Sequence, residues 1–390
     1  MQLTALTKYL SDRFCLENNQ YFIDDKVKCH TYDFVSDISF GYEDEKDIFA
    51  INLDGNDLEN GEKENKTFRY AIFSPTHAAK FSEGILMLHG LNERKWEKYL
   101  PWAYQLALET KKPVILFPIA YHINRSPNTW QCPRTMSKFS QFRKENVPSI
   151  ENTSFANAAI SMRLDYFPEL FSLSGIQTYF DIVKLTSEIK SGKIEIFEDG
   201  CQIDFFAYSI GAFLTETLLI SNPLNLFSNS KAFFFCGGST FDKINGSARA
   251  ILDSQAFGNL RNHILGEKYN YQNNDIYIPD NLAHLLKEGW KAFLIMSGLH
   301  KYVNIRQKVL QPLIHRIKAI GLKEDYVIPG NAIKETFSMT FSNNNFDVDV
   351  LDFPFKYSHE IPFPINNQYF NETINSAFNL VFKSAGVFLR

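Results

Sequence analysis

The chain has 390 residues, 45% of them hydrophobic, which is enough for a large core in one elaborated domain. Lys and Arg total 40 against 44 Asp and Glu, a formal net charge of -4, and no basic stripe is clustered along the chain. These features exclude a surface built to follow nucleic-acid phosphates, so nucleic acid is not an expected partner.

The cysteines and the N-terminal residues indicate the cellular compartment in which the protein is expected. The five cysteines are scattered, odd in number and without a CxxC pair, unlike a disulfide framework or a zinc site. Lys8, Asp12 and Arg13 stand where a secretory leader needs an unbroken apolar run, and no later window reaches transmembrane length. We therefore expect a cytoplasmic protein with no integral membrane segment, no metal and no cofactor.

The first elements in chain order are a helix and a hairpin. Residues 3–14 have the spacing of a short amphipathic helix, and residues 48–53 and 68–73 have the composition of strands joined by a polar tract. The pattern predicts an antiparallel hairpin that starts within an N-terminal extension, residues 1–67.

Short apolar runs then alternate with helical stretches. Further strands are predicted at 84–90, 113–122, 203–209, 231–238, 291–298 and 346–355, and helices near 95–112, 173–191, 210–221, 280–289, 304–320 and 371–388. Continuous apolar strands between helices are typical of a mostly parallel sheet covered on both faces. We expect an α/β protein with one domain over residues 1–390.

Two stretches do not fit this alternation. Residues 123–172 are rich in Asn, Ser, Pro and aromatic residues, and residues 239–279 include the polar run GEKYNYQNN. Long connections in compact domains usually serve as lids or binding loops, so both are predicted to form a cap over a site.

A serine lies where a buried strand meets a helix, in IDFFAYSIGAFL. Ala207 and Gly211 flank Ser209 on either side, and small residues are needed there because strand and helix approach closely at a sharp turn. Ser209 would project above the carboxyl edge of the sheet, with the backbone N–H of Ile210 facing an oxyanion. The alternative is a serine that only caps the helix.

These residues resemble the α/β-hydrolase superfamily, with AYSIG in place of its GxSxG nucleophile motif, over roughly residues 68–390. The run LMLHG resembles the oxyanion-loop motif of the family, which assigns the second oxyanion N–H to Leu91 and a structural role to His89. The resemblance implies an α/β-hydrolase fold with lid-like insertions and a serine esterase or lipase-like activity.

Family order places the base after the nucleophile and the acid, near the C-terminus. His359 follows the last predicted strand and precedes the final helix, where its loop can reach Ser209. His284 and His315 lie within predicted helices, and His30 and His77 precede the sheet. His359 is therefore the expected base.

The acid is harder to assign. The family's GxxDxxVP turn would fall on GLHKYVNI, where Lys301 stands in the acidic position. Some members take the acid from the preceding strand end, which here offers Asp242. Glu335, Asp352, Glu360 and a dyad without an acid remain open alternatives.

The expected reaction is cleavage of a small-molecule ester through an acyl-serine intermediate. Tyr208 and His300 are candidate substrate contacts, and an aromatic insert predicts an apolar pocket wall. Arg125, Arg134 and Arg163 could each pair with an anionic group or lie on the surface. A non-catalytic binding protein of the same fold and an acyltransferase are the alternative functions.

Overall fold

The computed structural model describes residues 1–40, 61–266, 276–338, 348–365 and 370–390. The strand predicted at 48–53 lies outside the described residues, as does part of the 239–279 insertion.

Nine strands of the described chain form one sheet in the order β1-β2-β4-β6-β5-β7-β8-β10-β11, and β3 pairs with β9. β4 is antiparallel to β2 and β6, whereas every pairing from β6 to β11 is parallel. From β2 onward this is the strand order of the α/β-hydrolase fold, so the predicted fold class is confirmed. The strands are β1 Gln20–Phe22, β2 Val27–Val35, β3 Ser39–Phe40, β4 Thr67–Pro75, β5 Phe81–Leu88, β6 Val114–Leu116, β7 Phe197–Tyr208, β8 Ala232–Phe235, β9 Ile276–Tyr277, β10 Ile317–Leu322 and β11 Val348–Leu351.

Helices cover both faces of the sheet. The helices are α1 Leu3–Ser11, α2 Glu62–Lys66, α3 Leu100–Thr110, α4 Pro133–Asn146, α5 Ala158–Tyr166, α6 Glu169–Lys190, α7 Ile210–Ser221, α8 Ser254–Leu265, α9 Ala283–Met296, α10 Val303–Leu310, α11 Gly330–Ser338 and α12 Asn371–Leu389. One face of the sheet packs on α3 and α12, and α1 lies against these two helices. The other face packs on α6, α7 and α11, and α9 lies against α6 and α7. None of the described helices is long and apolar enough to cross a bilayer.

The central strands are apolar on both faces because both faces are covered. In β7, Phe205 and Ala207 belong to one buried cluster, whereas Phe206 and Tyr208 belong to the other. Alternate side chains of a strand point to opposite faces, so a doubly covered strand has a continuous apolar run.

Two element predictions were wrong, and both concern the same part of the sheet. The run at 291–298 is the end of α9, whose buried residues include Leu285, Gly289, Ala292 and Met296 at helical spacing. The helix predicted over 304–320 ends as α10, and the chain then forms β10 between β8 and β11. The prediction also omitted β2.

A buried ion pair joins the two insertions. Arg143 of α4 donates from Nε and Nη2 to both carboxylate oxygens of Asp253, at 2.5 and 2.8 Å, and also lies 3.1 Å from Asp165 of α5. Asp253 accepts a hydrogen bond from Ala256 N as the N-cap of α8. The contact fixes the insertions to one another in a water-excluded position.

Arg143→Met should lower the free energy of unfolding by about 3 kcal/mol, since it leaves Asp253 buried without its cation. Urea denaturation measures the change. Lys8→Met, which breaks the exposed pair with Asp12, is the control and should have no measurable effect. Equal effects of the two substitutions would contradict the structural role of the buried pair.

Candidate active site

Ser209 lies at the sharp turn between β7 and α7. Its backbone has φ 58° and ψ −125°, a region that costs a non-glycine residue energy, and its N–H donates to Phe235 O at 3.3 Å. A Cβ on Gly211 would lie 2.8 Å from Leu88 O, and one on Gly237 would lie 2.8 Å from Ser209 O. The small residues are therefore required by the close approach of the helix to the neighbouring strands.

The structure brings His359 to Ser209, with 2.7 Å between Nε2 and Oγ. Both side chains are buried. The Tyr208 hydroxyl donates to His359 O, and the two rings stack at 5.4 Å between centroids. Tyr208 was predicted as a substrate contact; its hydroxyl fixes the backbone at His359, and its ring contributes to the wall of the cavity in front of Ser209.

The carboxylate beside His359 is Asp325, in the loop after β10. Its Oδ2 lies 2.7 Å from His359 Nδ1, and its Oδ1 accepts hydrogen bonds from the N–H groups of Val327 and Ile328 at 2.9 and 2.8 Å. The buried Cys236 thiol is a neighbour, and its pKa is raised well above the usual value, first by burial and then by the Asp325 charge. Cys236 is thus a neutral thiol beside a fixed carboxylate.

Asp242 does not occupy the position predicted for it. It lies in a turn, Phe241–Lys243, where its N–H donates to Ser297 O at 3.0 Å and its carbonyl accepts from Arg261 at 2.6 Å. The interpretation failed because residues 291–298 are not a strand, and the carboxylate that contacts His359 follows β10 instead. The missed signal is GLKEDYVIP at 321–329, in which Asp325 follows a strand end and precedes a Val-x-Pro.

The other candidate acids also have different partners or positions. Glu335 pairs with Lys243, and Asp352 pairs with Lys323 at 2.8 Å. His300 is exposed in the turn His300–Tyr302 and does not line the cavities next to Ser209, so the structure does not support it as a substrate contact.

The loop after β5 is fixed by hydrogen bonds. His89 is fully buried, with Nδ1 2.8 Å from Gly90 O and Nε2 accepting from Ile119 N at 2.9 Å, and burial lowers its pKa well below the usual value. Gly90 N donates to the Tyr99 hydroxyl at 3.1 Å. These contacts place Leu91 next to the turn at Ser209, where Leu91 and Ile210 line one pocket together with the serine.

Three cavities near this turn share lining residues. The outer cavity, of about 410 Å³, contains Ser209 and His359 and is rimmed by six charged residues: Glu93, Arg94, Lys95, Glu97, Lys98 and Glu360. The inner pocket, of about 20 Å³, lies behind Ser209 between Phe171 and Phe241. The apolar cavity, of about 90 Å³, shares Leu91, Ile210 and Phe171 with the inner pocket and continues between α5, α6, α7 and α9.

The three arginines noted in the sequence have different environments. Arg125 is buried in an ion pair with Asp181 at 2.9 Å. Arg163 is buried in the wall of the apolar cavity, 4.0 Å above the Tyr121 ring. Arg134 is exposed. In the part of the chain that the structure describes, no group of three or more His, Cys, Asp or Glu residues is placed to hold a metal ion.

Chain comparisons identify the family. Residues 15–390 match the model of a family of unknown function, DUF6051, and the chain belongs to it. No curated protein sequence matches the chain.

Similar solved structures include several esterases and hydrolases. A cold-adapted esterase from an Arctic intertidal metagenomic library is 10% identical with a TM-score of 0.40, covering 95% of this chain and 99% of that one. The peroxisomal alpha-beta-hydrolase Lpx1 of Saccharomyces cerevisiae is 13% identical with a TM-score of 0.39, covering 93% and 91%. Carboxyl esterase 2 of Tuber melanosporum is 7% identical with a TM-score of 0.43, covering 99% and 98%.

Asp325→Asn should slow acylation of Ser209 by roughly 10³- to 10⁴-fold, because an amide at Nδ1 favours the wrong imidazole tautomer and does not stabilise its cation. The rate of labelling by a fluorophosphonate measures this. Asp242→Asn is the control, because it removes a carboxylate charge that does not contact the imidazole. Its rate of labelling should stay within about twofold of the rate of the unsubstituted chain. A larger loss of labelling rate in Asp242→Asn than in Asp325→Asn would show that Asp242 is the acid.

Gly211→Ala should lower stability by about 1–3 kcal/mol and reduce labelling of Ser209, since the added methyl group meets the carbonyls at the end of β5. Gly258→Ala in α8 is the matched control, because nothing lies within 4 Å of its added Cβ. Thermal unfolding of both variants should show a lower midpoint for Gly211→Ala alone.

Proposed function

We propose that the chain is a serine hydrolase that cleaves a carboxylic ester. The observation that carries the proposal is the continuous hydrogen-bonded series from Ser209 Oγ through the His359 ring to Asp325, with 2.7 Å at each of its two contacts. A nucleophile, a base and a carboxylate that orients the base are the three parts of serine acyl-transfer chemistry. Within the described ranges of the chain, Ser209 Oγ is the hydrogen-bond partner of His359 Nε2.

In the proposed first step, His359 Nε2 takes the Ser209 proton while Oγ bonds to the ester carbonyl carbon. The N–H groups of Leu91 and Ile210 hold the resulting oxyanion. As the tetrahedral centre collapses, the bond to the alcohol oxygen breaks and the alcohol takes the proton from His359. Water then attacks the acyl carbon and gives one proton to His359; the bond from that carbon to Ser209 Oγ breaks, Oγ takes the proton back from His359, and the acid leaves.

Asp325 stabilises the imidazolium that forms in both halves of the reaction. Its buried carboxylate accepts two backbone N–H hydrogen bonds besides the one from His359 Nδ1, which compensates for its removal from water. The alternative of a non-catalytic protein depended on the lack of an acid, so Asp325 removes its main support.

The cavities support an apolar acyl group and a polar alcohol. The inner pocket and the apolar cavity are lined mostly by apolar side chains, which supports them as the acyl side. The outer cavity has a charged rim, including exposed Lys95, and is the route for the alcohol and water.

The five cysteines are all free thiols, which supports the proposed cytoplasmic location.

A fluorophosphonate probe should add its mass to the protein once, and Ser209→Ala and His359→Ala should each abolish the addition, since only an activated serine reacts. Intact-mass spectrometry measures the outcome. Ser239→Ala and His77→Ala are the controls, because they remove a buried serine and an exposed histidine outside the series.

An unlabelled, folded protein, under conditions in which a control esterase reacts fully, would refute the proposal. If labelling succeeds, the product formed from a simple ester shows whether water or an alcohol accepts the acyl group. A hydrolase releases the free acid, whereas an acyltransferase forms a new ester with added alcohol.

A further inference from the structure

The inner pocket is the smallest of the three cavities, and Ser209 itself is part of its wall. The other residues that line it are apolar and include Phe241, Leu252 and Val327. Its volume of about 20 Å³ is close to the space that a cavity needs to hold one water molecule, which is similar in size to a methyl group. The pocket therefore has room for one small apolar group next to the nucleophile.

Three phenylalanine rings lie between the inner pocket and the apolar cavity. Phe171 of α6 lines both of them. Its ring centroid is 5.6 Å from that of Phe241, which lines the inner pocket, and the Phe241 centroid is 6.3 Å from that of Phe213, which lines the apolar cavity. Ser209 lines the inner pocket and the outer cavity but not the apolar cavity. A group bonded to Ser209 Oγ is therefore next to the inner pocket and is separated from the apolar cavity by this aromatic wall.

The position of His359 determines which part of an ester faces each cavity. In the proposed mechanism the alcohol oxygen takes its proton from His359 Nε2, so this oxygen must lie on the His359 side of Ser209. His359 lines the outer cavity and is not among the described residues that line the inner pocket. The alcohol part therefore lies in the outer cavity, of about 410 Å³, and the carbon attached to the carbonyl group lies in the inner pocket.

We propose that the inner pocket binds the methyl group of an acetyl ester and that Phe171 limits the length of the acyl group. The substrate class is then the acetate esters of a larger alcohol. Ser209 Oγ takes the acetyl group, the alcohol leaves with the proton from His359, and water releases acetic acid. A longer acyl chain would have to displace the aromatic wall, and forcing extra methylenes into a packed region is unfavourable. This inference rests on the proposed function, because it assigns the acyl side of the same site.

Hexyl acetate and ethyl hexanoate test the inference because they are isomers that differ in which side of the ester carries the longer chain. Hydrolysis of each is followed by pH-stat. The kcat/KM for hexyl acetate should be about 10- to 100-fold higher, as expected when the added methylenes of the hexanoyl group meet a packed wall. A ratio near one, or faster hydrolysis of ethyl hexanoate, would overturn the inference.

Phe171→Ala removes the ring that lines both cavities, so a hexanoyl chain can extend into the apolar cavity. The kcat/KM for ethyl hexanoate should rise about tenfold relative to that for hexyl acetate. Phe171→Leu makes a smaller change in the same wall and should shift the ratio in the same direction. Circular dichroism and thermal unfolding establish that each variant is folded.

Leu286→Ala is the matched control, because Leu286 lines the apolar cavity but not the inner pocket. It enlarges that cavity without opening the aromatic wall, so the preference for hexyl acetate should stay within about twofold of that of the unsubstituted chain. A preference that neither Phe171 variant changes, or that Leu286→Ala lowers as much as Phe171→Ala does, would overturn the role of Phe171.

Fluorophosphonate labelling distinguishes failure of this inference from failure of the proposed function. Labelling of Ser209, with hexyl acetate cleaved no faster than ethyl hexanoate, would refute the acetyl site and leave the serine hydrolase in place. A folded protein that neither reacts with the probe nor cleaves either ester would refute both.

Discussion

The site depends on the close packing of the start of α7 against the ends of β5 and β8. Gly211 lies against the carbonyls of Leu88 and His89, and Gly237 lies against the backbone of Ser209. These contacts leave no room for larger residues and hold Ser209 in a conformation that the isolated chain would disfavour. The strain is tolerated because the parallel strands on both sides are buried and hydrogen-bonded.

The same sheet edge collects the other polar groups. β7, β10 and β11 are parallel, so the loops that follow them emerge at one edge and bring Ser209, Asp325 and His359 together. Burial strengthens each contact but leaves little tolerance for a missing partner. The two N–H groups at Asp325 and the Tyr208 hydroxyl at His359 O therefore also fix the positions of these two residues.

The insertions determine what can approach this edge. Arg143 and Asp253 join them through a buried ion pair, and Asn92, in the loop after β5, donates to Ala156 O and Ala250 O at 2.8 and 2.7 Å. Both insertions line the outer cavity, the first with Phe155 and the second with Ile251, and the first also lines the apolar cavity with Ile160. The insertions therefore form part of the wall on the charged side of Ser209 and on the apolar side.

The sequence alone was sufficient for the α/β fold class, for the turn at Ser209 and for the choice of His359, because each depends on a local pattern of apolar runs, small residues and chain order. It was not sufficient for Asp325. Lys318 and Gly321 interrupt the apolar run of β10, whereas the run at 291–298 is more apolar but packs as a helix. The strand was therefore predicted at 291–298, and the carboxylate was sought away from Asp325. Only the tertiary structure decided that β10 lies between β8 and β11, since the order of strands in a sheet depends on long-range packing that local periodicity does not encode.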